Sequence, residues 1–157
     1  MISHREFTNT AYDAPREREI KVGHPIYRKA AYALLRVTMG LVFLATGIGK
    51  FLMGVGMFAA GLQQQFTGKL PAVLVGAFGY ALPFIEVLVG GLLLLGLFNV
   101  FGLIIGSLLM MALTFGTMWK GDPATTAHNL SYALIFFILL WLSEYNGYSI
   151  DHLRRGR

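Results

Sequence analysis

The chain has 157 residues, of which 55% are hydrophobic and 13% charged, and it carries a formal net charge of +5. Soluble domains contain about 25% charged residues, so this composition excludes an ordinary soluble domain and indicates one compact integral membrane unit. The positive charge does not indicate nucleic-acid binding, because six of the 13 Lys and Arg residues precede Ala30 and three follow Leu153. Basic ends that flank apolar spans are typical of topology signals and of contacts with anionic lipids.

The chain contains no cysteine, which excludes disulfides, cysteine-ligated clusters, covalently attached haem and thiol mechanisms within it. Of its four histidines, only His128 lies next to an apolar segment. A bis-histidine haem inside this chain is therefore excluded, and we expect no metal site. The first 24 residues are polar, so the sequence shows no secretory signal.

Residues 1–29 form a polar, basic segment that Pro15 and Pro25 interrupt and that has no sustained apolar periodicity. We predict a cytoplasmic tail that is either partly disordered or docked on a partner protein. Residues 30–145 are predicted to form the transmembrane domain, and residues 146–157 a second, short basic tail.

The first predicted span covers residues 30–53. At about 100° per residue, one face of this helix carries two cations and two glycines, namely Arg36, Gly40, Gly47 and Lys50. The glycines allow another helix to approach closely. Arg36 is expected to extend back to the lipid headgroups, while Lys50 lies near the opposite end of the span. Residues 54–70 are too polar and glycine-rich to cross the membrane, and they predict an external loop with a helical turn or two.

The second span is predicted to follow an interfacial segment that starts at Pro71. Pro83 removes a backbone hydrogen bond and is expected to kink the helix, so the span proper is predicted from about Tyr80 to Phe98. Its single acid, Glu86, is costly in hydrocarbon unless it is paired, protonated or turned toward a polar cavity.

A very short turn at Asn99 leads to the third and fourth spans, predicted at residues 100–119 and 127–145. Gly102 and Gly106 in the third span have the small-xxx-small spacing of helix packing.

Four spans place both termini on one side of the membrane. The two tails hold nine Lys and Arg residues, whereas the opposite side holds Lys69 and Lys120, with Lys50 at its rim. The positive-inside rule then predicts that both termini are cytoplasmic (N-in, C-in) in a bacterial plasma membrane. The sequence thus predicts an all-α, integral membrane four-helix bundle.

Polar side chains from all four spans are predicted to meet in the outer half of this bundle. Glu86 is expected about 9 Å below the outer end of its helix, within reach of the long Lys50 side chain. The other members come from the third and fourth spans: Thr117, His128, Asn129 and Tyr132.

Two interpretations of this cluster stay open. In the first, Lys50 and Glu86 form a buried ion pair with a structural role. In the second, the cluster is a pocket that exchanges protons with a lipid-soluble redox carrier or an anionic substrate. The candidate catalytic residues are then Glu86, Lys50 and His128, and the candidate quinone-binding residues are Asn129, Tyr132 and Thr117.

The stretches RVTMGLVFLATGIGKF and LPFIEVLVGGLLLLGLF resemble the DoxX family of small four-helix membrane proteins, over about residues 30–145. The resemblance implies a multi-pass plasma-membrane protein, sometimes linked to redox complexes, and the related DoxD type is the membrane subunit of a thiosulfate:quinone oxidoreductase. A basic residue often follows the second helix in this family, where Asn99 stands here. The positions that carry the resemblance are Arg36, Gly40, Gly47, Lys50, Glu86, Gly90 and Gly96.

Two functions therefore remain open. The chain is predicted to be a membrane subunit of a quinone-linked, thiosulfate:quinone-type or respiratory-type oxidoreductase, with quinone at the membrane interface and no covalently bound cofactor. Alternatively, it is an accessory or assembly subunit of a larger membrane complex without a catalytic role. The expected partners are the lipid bilayer and other membrane subunits, which residues 1–29 would contact. A small transporter or lipid-binding protein is less favoured, because the sequence shows no internal repeat and no paired broken helices.

Overall fold

A computed structural model describes residues 25–150, and every regular element within that range is helical. Five α-helices and one short 3₁₀ turn follow one another along this part of the chain. They are α1 (Pro25–Met53), α2 (Val55–Gln65), α3 (Ala72–Leu95), α4 (Asn99–Lys120), α5 (Pro123–Trp141) and the 3₁₀ turn Ser143–Tyr145. The predicted all-α class is confirmed.

Four of these helices, α1, α3, α4 and α5, are long and apolar enough to cross a membrane. The shortest of the four, α5, has 19 residues and a length of about 28 Å, which matches a hydrocarbon core of about 30 Å. The protein is therefore a multi-pass helical membrane bundle, as predicted. Because the number of spans is even, residues 25 and 150 lie at the same end of the bundle. We call this end the terminal face and the opposite end the α2 face.

Helices α1 and α3 cross in close contact because each presents glycine to the other. A Cβ added to Gly40 would lie 2.9 Å from the backbone nitrogen of Leu94, and a Cβ added to Gly90 would lie 2.6 Å from that of Leu44. Gly47 continues the same seam toward the α2 face. The role predicted for the glycines of the first span is confirmed.

Helix α3 is continuous from Ala72 to Leu95, although Pro83 lies inside it. The helix thus begins eight residues before the predicted start of the span at Tyr80, and the interfacial position of its first part stays a prediction. Proline removes one backbone hydrogen bond, but Pro83 is fully buried, and packed neighbours support the helix through this position. A 24-residue helix is about 36 Å long, a length that a tilted span accommodates.

Asn99 is the first residue of α4 rather than the turn before it, which consists of Gly96, Leu97 and Phe98. The Asn99 side chain is buried, and its Nδ2 donates a 2.7 Å hydrogen bond to the Tyr32 hydroxyl. This bond joins the start of α4 to α1 near the terminal face.

Residues 55–65 form an 11-residue helix, where the sequence predicted a loop with a helical turn or two. Helix α2 packs on the first half of α3 because Ala59 faces Gly79: a Cβ added to Gly79 would lie 3.0 Å from Ala59 Cα. In addition, Gln63 Nε2 donates a 2.8 Å hydrogen bond to the carbonyl of Ala72. The close contact between Ala59 and Gly79 and the hydrogen bond of the Gln63 amide thus hold α2 on α3, although the composition of α2 is typical of a loop.

Helix α4 packs on its neighbours through the two glycines that the sequence singled out. Gly102 faces Leu92 of α3, and the Phe136 ring of α5 occupies the space beside Gly106. Phe136 also meets Phe43 of α1 edge-on, with ring centroids 5.1 Å apart. The core of the bundle is therefore aromatic and aliphatic at mid-depth, and the predicted packing role of both glycines is confirmed.

Arg36 does not extend to the lipid headgroups, so that expectation is wrong. The side chain is buried at 3% exposure, and its Nη2 donates a 2.8 Å hydrogen bond to the carbonyl of Tyr148. Its Nη1 donates to Asn146 Oδ1 at 3.3 Å. The chain that follows α5 turns back over the guanidinium and supplies acceptors for it, which fastens residues 146–149 to α1.

Candidate functional site

The side chains of Lys50 and Glu86 meet between α1 and α3. Lys50 Nζ lies 2.7 Å from Glu86 Oε2 and 2.9 Å from Oε1, so the ammonium binds both carboxylate oxygens. Glu86 is only 5% exposed. Gly47 permits this approach, because a Cβ there would lie 3.1 Å from Glu86 Cβ. The predicted proximity of the two charges is confirmed.

The surroundings of this ion pair are apolar. Among residues 25–150, Lys50 is the hydrogen-bond donor to the Glu86 carboxylate, and no other donor reaches it. Lys50 Nζ also lies 3.4 Å from the carbonyl of Thr46 and 5.5 Å from the ring centroid of Phe58 in α2. The face of an aromatic ring attracts a cation, so Lys50 joins α1, α2 and α3 at one point.

Thr117 and Asn129 are also brought together, between α4 and α5. Asn129 is buried, and its Nδ2 lies 3.4 Å from Thr117 Oγ1. The same oxygen accepts a 3.0 Å hydrogen bond from the Thr126 hydroxyl. These three side chains form a small polar network that is separate from the ion pair.

His128 and Tyr132 form a third pair on α5, with ring centroids 4.6 Å apart. The His128 side chain is exposed, whereas Tyr132 is half-buried and packs against the core. In the part of the chain that the structure describes, no hydrogen bond, ion pair or ring contact joins His128 to Lys50 or Glu86. The same residues contain no group of three or more acids and histidines that could hold a metal ion. The six predicted site residues thus lie in three pairs rather than in one cluster.

A cavity of about 510 Å³ lies at the α2 face, between α2, the first half of α3 and the second half of α4. Four phenylalanines contribute to its walls: Phe58, Phe66, Phe78 and Phe115. Of the predicted site residues, Thr117 lines it, whereas Lys50 and Glu86 lie behind Phe58.

The polar rim of the cavity centres on Lys120, the last residue of α4. Its Nζ donates to Gln65 Oε1 at 3.0 Å and lies 3.3 Å from Asp122 Oδ2. The loop after α2 is fastened here as well, because Lys69 Nζ donates to the carbonyl of Lys120 at 2.7 Å and Trp119 Nε1 donates to that of Lys69 at 3.2 Å. This rim holds α2 and α4 together around the cavity mouth.

Asp122 caps α5, which begins at Pro123, four residues before the predicted start at Ala127. Asp122 Oδ1 accepts a 3.0 Å hydrogen bond from the Thr125 backbone nitrogen, and Oδ2 accepts a 2.8 Å bond from the Thr125 hydroxyl. These bonds, and more weakly the neighbouring Lys120, hold the pKa of Asp122 below its ordinary value. The cap extends α5 toward the α2 face and brings Thr125 to the cavity wall.

Sequence reasoning did not identify the cavity or its rim residues Gln65 and Lys120. One signal was present: Phe58, Leu62 and Phe66 recur at helical spacing in a segment predicted as a loop. Such a stripe predicts an amphipathic helix whose apolar face packs on another part of the protein or on a ligand.

Comparisons with known proteins identify a family model that matches the chain. No curated protein and no solved structure matches the chain. A family model, described as methylamine utilisation protein MauE, matches residues 28–121, which is more than half of the chain. This finding overturns the assignment to DoxX, which rested on glycines in apolar runs that many membrane bundles share. The match includes Lys50, Glu86 and Lys120 and ends before His128. The chain belongs to the MauE family.

Proposed function

We propose that this protein is a membrane accessory subunit that serves methylamine utilisation or a related pathway, and that it carries no redox group of its own. The observation that carries this proposal is the Lys50–Glu86 pair, buried between two spans of a MauE-family chain. An acid bound on both oxygens by one lysine is suited to fixing helices in register. The family is named for the utilisation of methylamine, which supports a role in that pathway. The chain has no cysteine, so this role does not use a thiol of its own.

The partner is proposed to be another membrane or membrane-associated protein. The basic segment 1–29 is proposed to dock on it; residues 1–24 of this segment lie outside the described part of the chain. The described end of that segment is already anchored, since Arg28 Nη1 donates a 2.9 Å hydrogen bond to the Tyr145 hydroxyl.

A quinone-linked complex is the second candidate function, and the cavity at the α2 face is the observation that favours it. In this alternative, Thr117 lines the ligand site and Asn129 supports Thr117. Glu86 and Lys50 would act from behind Phe58, and the exposed His128, in ring contact with Tyr132, would face a partner or the lipid.

Variants of the ion pair distinguish the two roles in the native host. Deletion of the gene is expected to abolish growth on methylamine as the sole nitrogen source. Lys50→Met and Glu86→Gln should each lower the amount of folded protein in the membrane. Each variant removes one partner of a buried ion pair and leaves the other charge unpaired, which costs about 3–5 kcal/mol of folding free energy. The double variant should cost less than the sum of the two and restore growth along with the protein level.

Two outcomes would contradict the accessory role. Unchanged growth of the deletion strain on methylamine would remove the link to that pathway. A double variant that reaches the membrane at the normal level but does not support growth would show that the charges act chemically rather than structurally. Additive losses in thermal unfolding of the purified variants would mean that the two side chains are not coupled.

A further inference from the structure

The cavity at the α2 face has the size and lining of a ligand site. Its volume of about 510 Å³ falls within the range of about 300–1,000 Å³ that is typical of small-molecule sites. Eleven of its fifteen lining residues are apolar or glycine, and the four polar ones are Gln65, Thr117, Lys120 and Thr125. Apolar walls with a few convergent polar groups at one end fit an amphiphile whose head and tail differ in polarity.

The polar end of the cavity has hydrogen-bond donors that are not fully used within the protein. The Thr117 and Thr125 hydroxyls donate to the carbonyl of Thr114 and to Asp122, so their hydrogens are engaged. Lys120 Nζ donates hydrogen bonds to Gln65 and Asp122, and its ammonium group has a third hydrogen that can be donated to a ligand. Within residues 25–150, Gln65 Nε2 makes no hydrogen bond. The hydrogens that are free at this end therefore suit a ligand head that accepts hydrogen bonds.

The charge at the rim favours a neutral head over an anionic one. Lys120, the cation on the cavity wall, is already paired with Asp122 at 3.3 Å. Lys69 does not line the cavity, and its Nζ is bound to the Lys120 carbonyl. A phosphate would find a cation whose charge is balanced by a neighbouring carboxylate, whereas a carbonyl oxygen needs only the hydrogen-bond donor.

The walls favour a flat, conjugated ring. Four phenyl rings surround the space, and aromatic pairs prefer offset or edge-to-face stacking with centroids about 4.5–7 Å apart. A hydrocarbon tail has a way out, because Leu74 and Phe115 line the cavity and are both more than half exposed on the lipid-facing side of the bundle.

We propose that this cavity binds a lipid-soluble quinone, with its ring among the four phenylalanines and one carbonyl oxygen accepting a hydrogen bond from Lys120. The proposal concerns binding and assigns no electron transfer to this chain. It does not depend on the accessory role, because binding is measured on the purified protein and not through growth.

The two tryptophans of the chain provide the readout, since quinones quench indole fluorescence at short range. Trp119 stacks on Phe115 with ring centroids 5.7 Å apart, and Phe115 lines the cavity. Trp141 lies at the end of α5, toward the terminal face. A Trp141→Phe variant therefore reports on the cavity, and a Trp119→Phe variant reports on general partitioning of quinone into the micelle or bilayer.

The experiment titrates the purified full chain, in detergent or nanodiscs, with a benzoquinone that carries a decyl chain. Quenching of Trp119 should saturate, whereas quenching of Trp141 should stay linear and weaker. Gly116→Leu places a side chain in the cavity, because a Cβ at Gly116 points at Phe66 Cζ from 3.6 Å, and it should weaken binding about tenfold or more. Gly91→Leu is the matched control, since no atom lies within 4 Å of its Cβ, and it should leave the affinity unchanged.

Lys120→Met tests the donor and should weaken binding about tenfold, as the loss of a hydrogen bond from a charged group does. If Gly116→Leu does not fold, the affinity of Lys120→Met for the quinone tests the proposal instead. Linear quenching of equal strength at both tryptophans would overturn the proposal, as would saturable binding that neither variant weakens. Displacement of the quinone by phosphatidylglycerol at equal affinity would also overturn it, because the cavity would then be an acyl-chain site.

Discussion

Gly96 decides how the terminal face is assembled. It ends α3 with a φ of 63°, in the left-handed region that favours glycine, and Arg36 Nη1 occupies the space where a side chain would begin. Ser149 lies against the same position. One missing side chain thus makes room for a buried guanidinium and for the segment that binds it.

Gly96→Ala should destabilise the protein by about 2 kcal/mol or more. The left-handed conformation alone costs a non-glycine residue about 1–2 kcal/mol, and the new methyl group would also displace Arg36. Gly91→Ala is the control, and it should be neutral or stabilising by up to about 1 kcal/mol, because Gly91 lies inside a helix next to open space. Thermal unfolding in detergent measures both changes. A Gly96→Ala protein as stable as Gly91→Ala would show that Arg36 is not held at this site.

Two contacts of buried charged residues, those of Lys50 and of Arg36, differ in how far the sequence predicts them. Lys50 and Glu86 were predictable as a pair, because each is a lone charge in an apolar span and the two depths agree. The partners of Arg36 were not predictable, because Asn146 and Tyr148 lie 110 and 112 positions further along the chain. They also follow α5, which ends four residues before its predicted end.

At the scale of elements, hydropathy predicts the long helices well and the short one poorly. Apolar runs of about 20 residues identify α1, α3, α4 and α5, because the backbone in hydrocarbon must be hydrogen-bonded within its own segment. Helix α2 gives no such signal, since its order depends on contacts with α3, such as the one between Ala59 and Gly79. Pro83 illustrates the same dependence on neighbours: packing, not local preference, keeps α3 continuous there.

The start of α5 gives a prediction on pH. The pKa of Asp122 is lowered in the folded protein, so folding favours the carboxylate over the protonated acid. This contribution is complete above the unfolded pKa of about 3.9 and is lost as the pH falls through the lower, folded value. We therefore expect the thermal stability of the wild type to begin to fall as the pH drops toward about 3.9 and to keep falling until the pH is below the folded pKa.

Asp122→Asn isolates that contribution, because asparagine is an equally good N-cap and does not titrate. The variant should match the wild type at low pH and be less stable than it near neutrality, where the wild type gains from the carboxylate. Thermal unfolding across the pH range checks this difference. A difference that does not change with pH would mean that the Asp122 carboxylate does not stabilise the cap.

At the scale of the whole molecule, the cavity could not be predicted from the sequence. Its walls come from α2, the loop after it, α3, α4 and the start of α5, and each supplies only one to six residues. No single stretch therefore has the pattern of a binding motif. The predicted polar cluster assumed instead that residues at similar depth would meet, whereas the bundle separates them onto different helix pairs.

The orientation of the bundle stays a prediction, and labelling tests it directly. Nine of the 13 Lys and Arg residues lie before Ala30 or after Leu153, at the terminal face or beyond it, so the positive-inside rule places the terminal face in the cytoplasm and the α2 face outside. Because the chain lacks cysteine, single cysteines can be introduced at will. Gln64 and Ala124 are exposed at the α2 face, and Tyr148 is 55% exposed at the terminal face, whereas Ser149 is buried and unsuitable. A membrane-impermeant maleimide on intact cells should label Gln64→Cys and Ala124→Cys and spare Tyr148→Cys, which should react only after permeabilisation. The reverse pattern would invert the bundle and place the cavity mouth at the cytoplasmic surface.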